Sequence, residues 1–270
     1  MRIEDNYTKW NYLKYVEFHV VDKCNLNCIA CSHFSPMVRK DFDHLPSFTG
    51  DIRRLKELFE YITNIRLLGG EPFLEKRLDE YVSVARELYP HSKIEVVTNG
   101  LLIPRALRRV LRSIFENKII VNITLYPPTQ KIQKTIEETL NEYGIQHCFS
   151  DPVGVFRKKL IPTGESNVDK AFSECTVGKN CTFVYMGRLY LCSGAALVKY
   201  YNECAGTDIV FKESSIDLYN TDVTQIMGFL NHSKDSCRYC GRTCTEPWSV
   251  CRDLNNINPN HWISDGGPVI

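Results

Sequence analysis

Stretches rich in β-branched and aromatic residues alternate with amphipathic stretches from about residue 13 to about residue 150. This alternation predicts strands joined by helices, and hence a parallel sheet that helices cover on its faces. The predicted strands are Leu13–Val21, Ile65–Leu68, Lys93–Thr98, Lys118–Leu125 and Ile145–Phe149, with a sixth within Val153–Ile161. The predicted helices are Asp51–Asn64, with Asp51 as its N-cap, Leu74–Tyr89, Pro104–Phe115 and Thr129–Tyr143.

A closed eight-stranded barrel needs about 250 residues, more than this alternating region provides. The pattern therefore predicts an α/β fold, a partial (β/α)6 TIM-like barrel over residues 1–160. After residue 160 the alternation stops and cysteines become frequent, which predicts a small cysteine-rich α+β domain over residues 161–270. In a barrel of parallel strands, ligands bind on the loops that follow the carboxyl ends of the strands.

Three cysteines follow the first predicted strand closely. Cys24, Cys28 and Cys31 have the spacing C-x3-C-x2-C, and thiolates this close on one loop can bind a single inorganic centre. An ordinary four-iron cluster takes four cysteines, so three ligands leave one iron open for another molecule. A zinc site or buried free thiols are the alternatives, although zinc sites usually show two separate C-x2-C pairs.

The loop after the second predicted strand contains Gly69, Gly70, Glu71 and Pro72. The two glycines allow a ligand to approach the backbone closely. The carboxylate beside them can accept hydrogen bonds from an ammonium group. A tight strand-to-helix turn is the alternative explanation.

The next strand ends offer further polar groups. Thr98 and Asn99 end the third strand, where they can bind a hydroxyl or a carboxylate, or form an ordinary Asn-Gly turn. Asn122 and Thr124 alternate on the fourth strand, so both face the same side of the sheet. They contact a bound ligand if that side is the barrel interior, and are buried polar residues if it faces the helices.

The cysteine spacing, followed one βα unit later by Gly-Gly-Glu-Pro, resembles the radical S-adenosylmethionine (radical SAM) enzymes. The resemblance implies that the open iron binds SAM through its amino and carboxylate groups, with Glu71 contacting the amino group. It further implies reductive cleavage of SAM to a 5′-deoxyadenosyl radical that abstracts hydrogen from substrate, and an electron donor such as flavodoxin or ferredoxin. One departure is Ala30, which stands where many members have an aromatic residue, so Phe34 is a candidate to pack against the adenine.

The C-terminal cysteines form a second pattern. Cys175 precedes and Cys192 follows a predicted hairpin over Val184–Leu191, and Cys237 and Cys240 form a C-x2-C pair. This pattern resembles the twitch domain, a shortened SPASM domain, of radical SAM dehydrogenases. The resemblance implies that these four thiols hold one auxiliary four-iron cluster.

Two alternatives stay open for this second site. Cys181 can replace Cys175 as the first ligand, because it precedes the same hairpin glycine at a shorter distance. A structural zinc ribbon is the alternative for the whole site. The cysteines left over are expected to be buried free thiols: Cys148, Cys204, Cys244 and Cys251.

The resemblance to twitch-type dehydrogenases implies oxidation of an alcohol, with the auxiliary cluster as electron acceptor. Only 23 residues precede Cys24, too few for a peptide-recognition domain, so we expect a small polyhydroxylated substrate of the sugar or aminocyclitol kind. The alternatives are a peptide-modifying maturase and an epimerase, whose hydrogen-atom donor would be Cys148, Cys244 or Cys251. A non-catalytic iron–sulfur or zinc protein is the alternative of another class.

Charge and hydropathy exclude other classes of function. The 33 basic and 32 acidic residues leave a net charge of +1, which predicts no nucleic-acid partner. No uninterrupted apolar run approaches the ~18 residues of a membrane span, and the polar start is unlike a secretory signal. A cytoplasmic location is therefore expected, where many cysteines indicate metal or redox chemistry more often than disulfides.

Overall fold

The computed structural model of this protein describes residues 12–178 and 181–270. The strands are β1 (Tyr12–Val21), β2 (Tyr61–Gly69), β3 (Lys93–Thr98), β4 (Ile120–Ile123), β5 (His147–Phe149), β6 (Val155–Leu160), β7 (Phe183–Tyr185), β8 (Arg188–Tyr190), β9 (Ser215–Asp217) and β10 (Cys240–Pro247). The α-helices are α1 (Leu45–Leu58), α2 (Leu78–Leu88), α3 (Arg108–Glu116), α4 (Pro127–Lys131), α5 (Gln133–Glu142), α6 (Val168–Ser173), α7 (Ser193–Ala205) and α8 (Val223–Leu230). Short 3-10 helices cover Ser35–Met37, Pro72–Leu74, Ile103–Arg105, Asp235–Tyr239 and Pro259–Trp262.

One large sheet dominates the fold, with the strand order β5-β4-β3-β2-β1-β7-β8-β9. The strands from β5 through β1 to β7 run parallel, and β8 and β9 are antiparallel additions at one edge. This mixed α/β architecture with its large parallel sheet confirms the predicted fold class. The predicted hairpin is also confirmed, because β7 and β8 pair across a Met186–Gly187 turn in which both residues have positive φ angles, 48° and 77°.

The predicted sixth barrel strand needs a correction. Residues 155–160 do form a strand, β6, but it pairs with β10 in a separate two-stranded antiparallel ribbon. The sixth parallel strand is β7, which lies beside β1 and is buried throughout. Charge explains the difference, because β6 carries Arg157, Lys158 and Lys159 and cannot be buried on both faces.

The two faces of the sheet have different chemistry because side chains alternate along each strand. Val16 and Phe18 of β1 belong to the main apolar core, where the Phe18 ring lies 5.0 Å from the ring of Phe48 on α1. The opposite face is polar, and there the Arg66 guanidinium lies 2.7 Å from the Glu95 carboxylate. The helix-covered face stabilises the fold, and the polar face is free to surround a ligand.

Helix α1 begins six residues before the predicted Asp51 N-cap, after His44. Asp51 is instead buried in mid-helix, where burial raises the pKa of its carboxyl group. It accepts hydrogen bonds from the backbone N–H of Gly187 at 2.9 Å and from the Tyr219 hydroxyl at 3.0 Å. The aspartate therefore joins α1 to the β7–β8 hairpin, a contact between distant segments that local sequence cannot reveal.

The domain boundary at residue 160 stays a prediction. The sheet crosses it, since β7 pairs directly with β1. Within the described ranges, no helix combines the length and the apolar character that a membrane span requires.

Candidate functional site

The three N-terminal cysteines lie on the loop that follows β1. Parallel strands bring their carboxyl ends to one edge, so this loop meets the loops after β2, β3 and β4. Together these loops surround a cavity of about 150 Å³, named here the cysteine-loop cavity. The sequence-predicted residues that line it are Cys24, Cys28, Cys31, Gly69, Gly70, Thr98, Asn99 and Thr124.

The thiols of this loop suit a multi-atom metal centre. Burial raises the pKa of Cys24 to about 11 and that of Cys28 to about 12, so without a bound cation both thiols stay protonated. A coordinating metal removes these protons outright. All three thiols line the same cavity, so a single centre can bind them together there.

Glu71 does not line the cysteine-loop cavity. Its carboxylate is fully buried and accepts hydrogen bonds from the Thr98 hydroxyl at 2.6 Å, the Asn99 N–H at 2.8 Å and the Phe73 N–H at 3.1 Å. Burial raises the pKa of Glu71 to about 7. Glu71 therefore ties the loops after β2 and β3 together, and its contact with the SAM amino group stays a prediction.

Two more predicted SAM contacts lie away from the cavity. Pro72 is buried behind Glu71 at the start of a 3-10 helix. Asn122 does not line the cavity, and its amide nitrogen is 3.3 Å from the Glu95 carboxylate. Of the alternating pair Asn122 and Thr124, only Thr124 lines the cavity.

Aromatic residues that sequence reasoning missed complete the cavity. Tyr126 and Phe156 line it, with ring centroids 5.8 Å apart in an edge-to-face arrangement. Phe34, the predicted substitute for an aromatic residue at Ala30, is buried against Tyr201 and lines a different cavity. The position of Tyr126, two residues after Thr124 at the end of a parallel strand, was a signal that could have identified it.

The four predicted auxiliary ligands converge in a second cavity of about 410 Å³, named here the central cavity. Cys175, Cys192, Cys237 and Cys240 all line it. Cys181 does not line it, although Cys192 and Cys175 are among its electrostatic neighbours, together with Glu17 and Arg66. The lining of the cavity favours Cys175 as the first ligand, and Cys181 lies close to the same group of thiols.

The central cavity reaches from the N-terminal cysteine loop to the C-terminal cysteines. Ala30 and Ser32 of the N-terminal cysteine loop line one part of it, and Ser32 also lines the cysteine-loop cavity. Arg157 and Lys159 of β6 line it as well and form no salt bridge with any residue in the described ranges. Lys158, in contrast, lies 3.0 Å from the Glu246 carboxylate. The cavity thus combines the four C-terminal thiols with two basic side chains that form no salt bridge among the described residues.

The remaining cysteines are dispersed. Cys148 is exposed on β5, contrary to the expectation of a buried thiol. Cys244 lies on β10 opposite Lys158. The backbone N–H of Cys251 donates to the Asn27 carbonyl, and its side chain packs with Cys204 in the second apolar core.

A buried carboxylate anchors the start of the cysteine loop. Asp22 accepts hydrogen bonds from His19 Nε2 at 3.0 Å, His44 Nε2 at 2.8 Å, the Tyr200 hydroxyl at 2.6 Å and the Phe42 N–H at 3.3 Å. Burial alone would raise the pKa of Asp22, but the hydrogen bonds from His19 and His44 outweigh it and hold the pKa far below its usual range. The cluster therefore connects β1, the segment before α1, and α7.

These three side chains also have the composition of a metal site, since the ligand atoms of His19, Asp22 and His44 lie within 4.8 Å of one another. A metal-bound imidazole almost always donates its second ring N–H to an acceptor. His19 Nδ1 has no such partner among the described residues. The Asp22 oxygens also already accept four donors, so the cluster is a hydrogen-bonded anchor.

Replacing Asp22→Asn is expected to lower the free energy of unfolding by about 1–3 kcal/mol, because the amide places a donor against buried donors. Chemical denaturation of the two proteins measures the difference. Asp151→Asn, at an exposed loop position, is the control and should change little. Equal effects of the two substitutions would contradict the anchoring role.

Comparison with known proteins identifies the domain. Residues 18–144 match the Radical SAM superfamily. A GTP 3',8-cyclase of Pelotomaculum thermopropionicum is 33% identical over 110 residues, 38% of this chain and 31% of that protein. A GTP 3',8-cyclase of Nautilia profundicola is 27% identical over 252 residues, 85% of this chain and 77% of that protein. The chain thus spans about a third of the first relative's length and about three quarters of the second's.

One solved structure shows the same fold over most of the chain. The crystal structure of BtrN in complex with AdoMet and 2-DOIA aligns with a TM-score of 0.50 at 18% identity, covering 84% of this chain and 92% of that one. This supports the predicted partial barrel with its C-terminal extension.

These findings correct the predicted reaction and confirm the cofactors. The prediction of a dehydrogenase of small polyhydroxylated substrates is wrong, because the curated relatives are named GTP 3',8-cyclase. The predicted four-iron cluster and SAM are those of the matched family, and the cysteine-rich C-terminal region accompanies them. Residues 18–144 therefore form a radical SAM domain, as the cysteine spacing and the Gly-Gly-Glu-Pro loop predicted.

Proposed function

We propose that this protein is a radical SAM enzyme that cyclises a phosphate-bearing nucleotide, with GTP as the first candidate substrate. The observation that carries the proposal is the central cavity, which extends from the N-terminal cysteine loop to the C-terminal thiols and is lined by free cationic groups. GTP and cyclisation are proposed because the relatives are named GTP 3',8-cyclase.

Each cofactor has a proposed set of ligands. Cys24, Cys28 and Cys31 hold the SAM-binding cluster, and the backbone at Gly69 and Gly70 contacts SAM beside it. The polar side chains that line the cysteine-loop cavity and the rings of Tyr126 and Phe156 surround the rest of SAM. Cys175, Cys192, Cys237 and Cys240 hold the auxiliary cluster. When bound, these groups supply one-electron cleavage of SAM and removal of a hydrogen atom from the substrate.

Arg157 and Lys159 are proposed to bind the phosphate groups. A charge-assisted hydrogen bond to phosphate is stronger than a neutral one, and a guanidinium can make two at once. Neither cation is neutralised by a carboxylate of the described residues, so each is available to an anion. Lys158 is already paired with Glu246 and serves to hold β6 against β10.

Arg157→Gln and Lys159→Gln should each weaken GTP binding about 10- to 150-fold, the equivalent of losing a charged hydrogen bond of about 1.5–3 kcal/mol. Isothermal titration of the anaerobic protein with GTP measures the change. Lys134→Gln on α5, where the lysine is 89% exposed, is the matched control. SAM affinity should be the same in all these proteins, and unaltered GTP affinity in both cavity variants would reject the phosphate site.

The reaction itself is tested with the reconstituted, reduced protein. An electron donor of the flavodoxin or ferredoxin class is proposed for the cell, and dithionite replaces it in the assay. Addition of GTP should raise 5′-deoxyadenosine formation from SAM and consume GTP in proportion. If GTP is unchanged and does not stimulate SAM cleavage while the cluster is intact, the proposed substrate is wrong.

A further inference from the structure

The segment after β10 returns to the N-terminal cysteine loop and pairs with its backbone. The N–H of Ile29 donates to the Ser249 carbonyl at 2.9 Å, and the N–H of Cys251 donates to the Asn27 carbonyl at 2.8 Å. Cys28 and Val250 form an antiparallel bridge. Residues 249–251 therefore pair with the backbone of residues 27–29 and fix the position of this part of the cysteine loop.

Trp248 brings a donor to one of the thiols of this loop. Its indole Nε1–H points to Cys28 Sγ at 3.3 Å. The ring stacks on Tyr126 with centroids 6.1 Å apart and planes 27° apart, and the Trp248 backbone N–H donates to the Gly154 carbonyl at 3.0 Å. The indole is thus fixed both by its backbone and by its ring face.

A second tryptophan, Trp262, also donates its indole N–H to the cysteine loop, but to a backbone oxygen and not to a sulfur. The indole of Trp262 donates to the Cys31 carbonyl oxygen at 2.9 Å. Both tryptophans lie far from the loop in sequence and both anchor it. Only Trp248 directs its donor to a sulfur.

Hydrogen bonds to cysteine sulfur are among the factors that set the reduction potential of an iron–sulfur cluster. Reduction adds negative charge, part of which the sulfur ligands carry, so an N–H donor stabilises the reduced state more than the oxidised state. We propose that Trp248 is a positioning residue that raises the reduction potential of the centre bound by Cys24, Cys28 and Cys31. This inference rests on the cluster ligands in the proposed function and goes beyond them.

The test uses Trp248→Phe in the full-length protein with both clusters loaded. Redox titration followed by electron paramagnetic resonance measures the potential, and the N-terminal cluster is identified as the one whose signal changes when SAM is added. The reduction equilibrium should shift about tenfold toward the oxidised form, which is about 59 mV for one electron. Iron content should not change.

Trp262→Phe is the matched control, because it removes an indole donor from the same loop but not from a sulfur. An unchanged potential in Trp248→Phe, or an equal shift in both variants, would overturn the inference. If Trp248→Phe fails to load iron, 3-benzothienylalanine at position 248 keeps the ring shape and removes only the N–H, and the same two outcomes decide. Absence of any SAM-responsive cluster in the wild-type protein would instead count against the proposed function.

Discussion

Simultaneous replacement of Cys24, Cys28 and Cys31 with alanine is expected to abolish SAM cleavage and to leave about four of about eight iron atoms per chain. The three thiols line one cavity, apart from the four C-terminal thiols. Loss of one site should therefore leave the other able to hold iron. Iron analysis and 5′-deoxyadenosine assays on the anaerobically reconstituted protein measure both effects.

Cys148→Ala is the control for this experiment, since Cys148 is exposed on β5 and lines neither cavity. It should keep the full iron content and SAM cleavage. A triple variant that retains all its iron would reject the N-terminal assignment. A wild-type protein with one cluster and one zinc ion would reject the auxiliary cluster.

Gly70→Ala is expected to destabilise the protein by about 3 kcal/mol or more and to abolish SAM binding. A Cβ atom at this position would lie 2.0 Å from the Lys23 carbonyl oxygen and 2.7 Å from that of Asp22. Both atoms are backbone and cannot rotate away. The Glu71 N–H also donates to the Lys23 carbonyl at 2.9 Å, so any shift separates the β2 loop from the cysteine loop.

Thermal unfolding and equilibrium binding of SAM measure the two consequences. Gly154→Ala is the matched control, because a Cβ atom there would meet nothing within 4 Å. If Gly70→Ala had the stability and the SAM affinity of the wild-type protein, the prediction would be wrong. The close contact between the loop after β2 and the cysteine loop would then be unnecessary for folding and for SAM binding.

The sequence predicted the centre of the fold well because the relevant signals are local. Each parallel strand from β1 to β4 is a largely apolar stretch followed by a helix, and Lys93–Thr98 matches its observed bounds. Parallel strands bring their carboxyl ends together, so the loops at Cys24, Gly69 and Thr98 had to meet. The cysteine spacing reports the cofactor because ligands on one loop must lie near one another in sequence.

The substrate was predicted wrongly for a related reason. Cysteine spacing specifies the metal centre and says little about the molecule that binds beside it. The free charges of the central cavity come from Arg157 and Lys159, and these face it because β6 leaves the main sheet and pairs with β10. The basic residues of β6 argue against burial on both faces, but nothing in its sequence identifies β10 as its partner.

Only the tertiary structure decided how the site is supported. Trp248 lies 220 residues from Cys28 in sequence, Tyr200 lies 178 residues from Asp22, and β7 inserts beside β1 from beyond the barrel region. Glu71 has the sequence context of a ligand-binding carboxylate, yet three donors from its own and the neighbouring loop occupy it. Such contacts depend on which distant segments pack together, and hydrophobic periodicity within a segment carries no information about its distant partners.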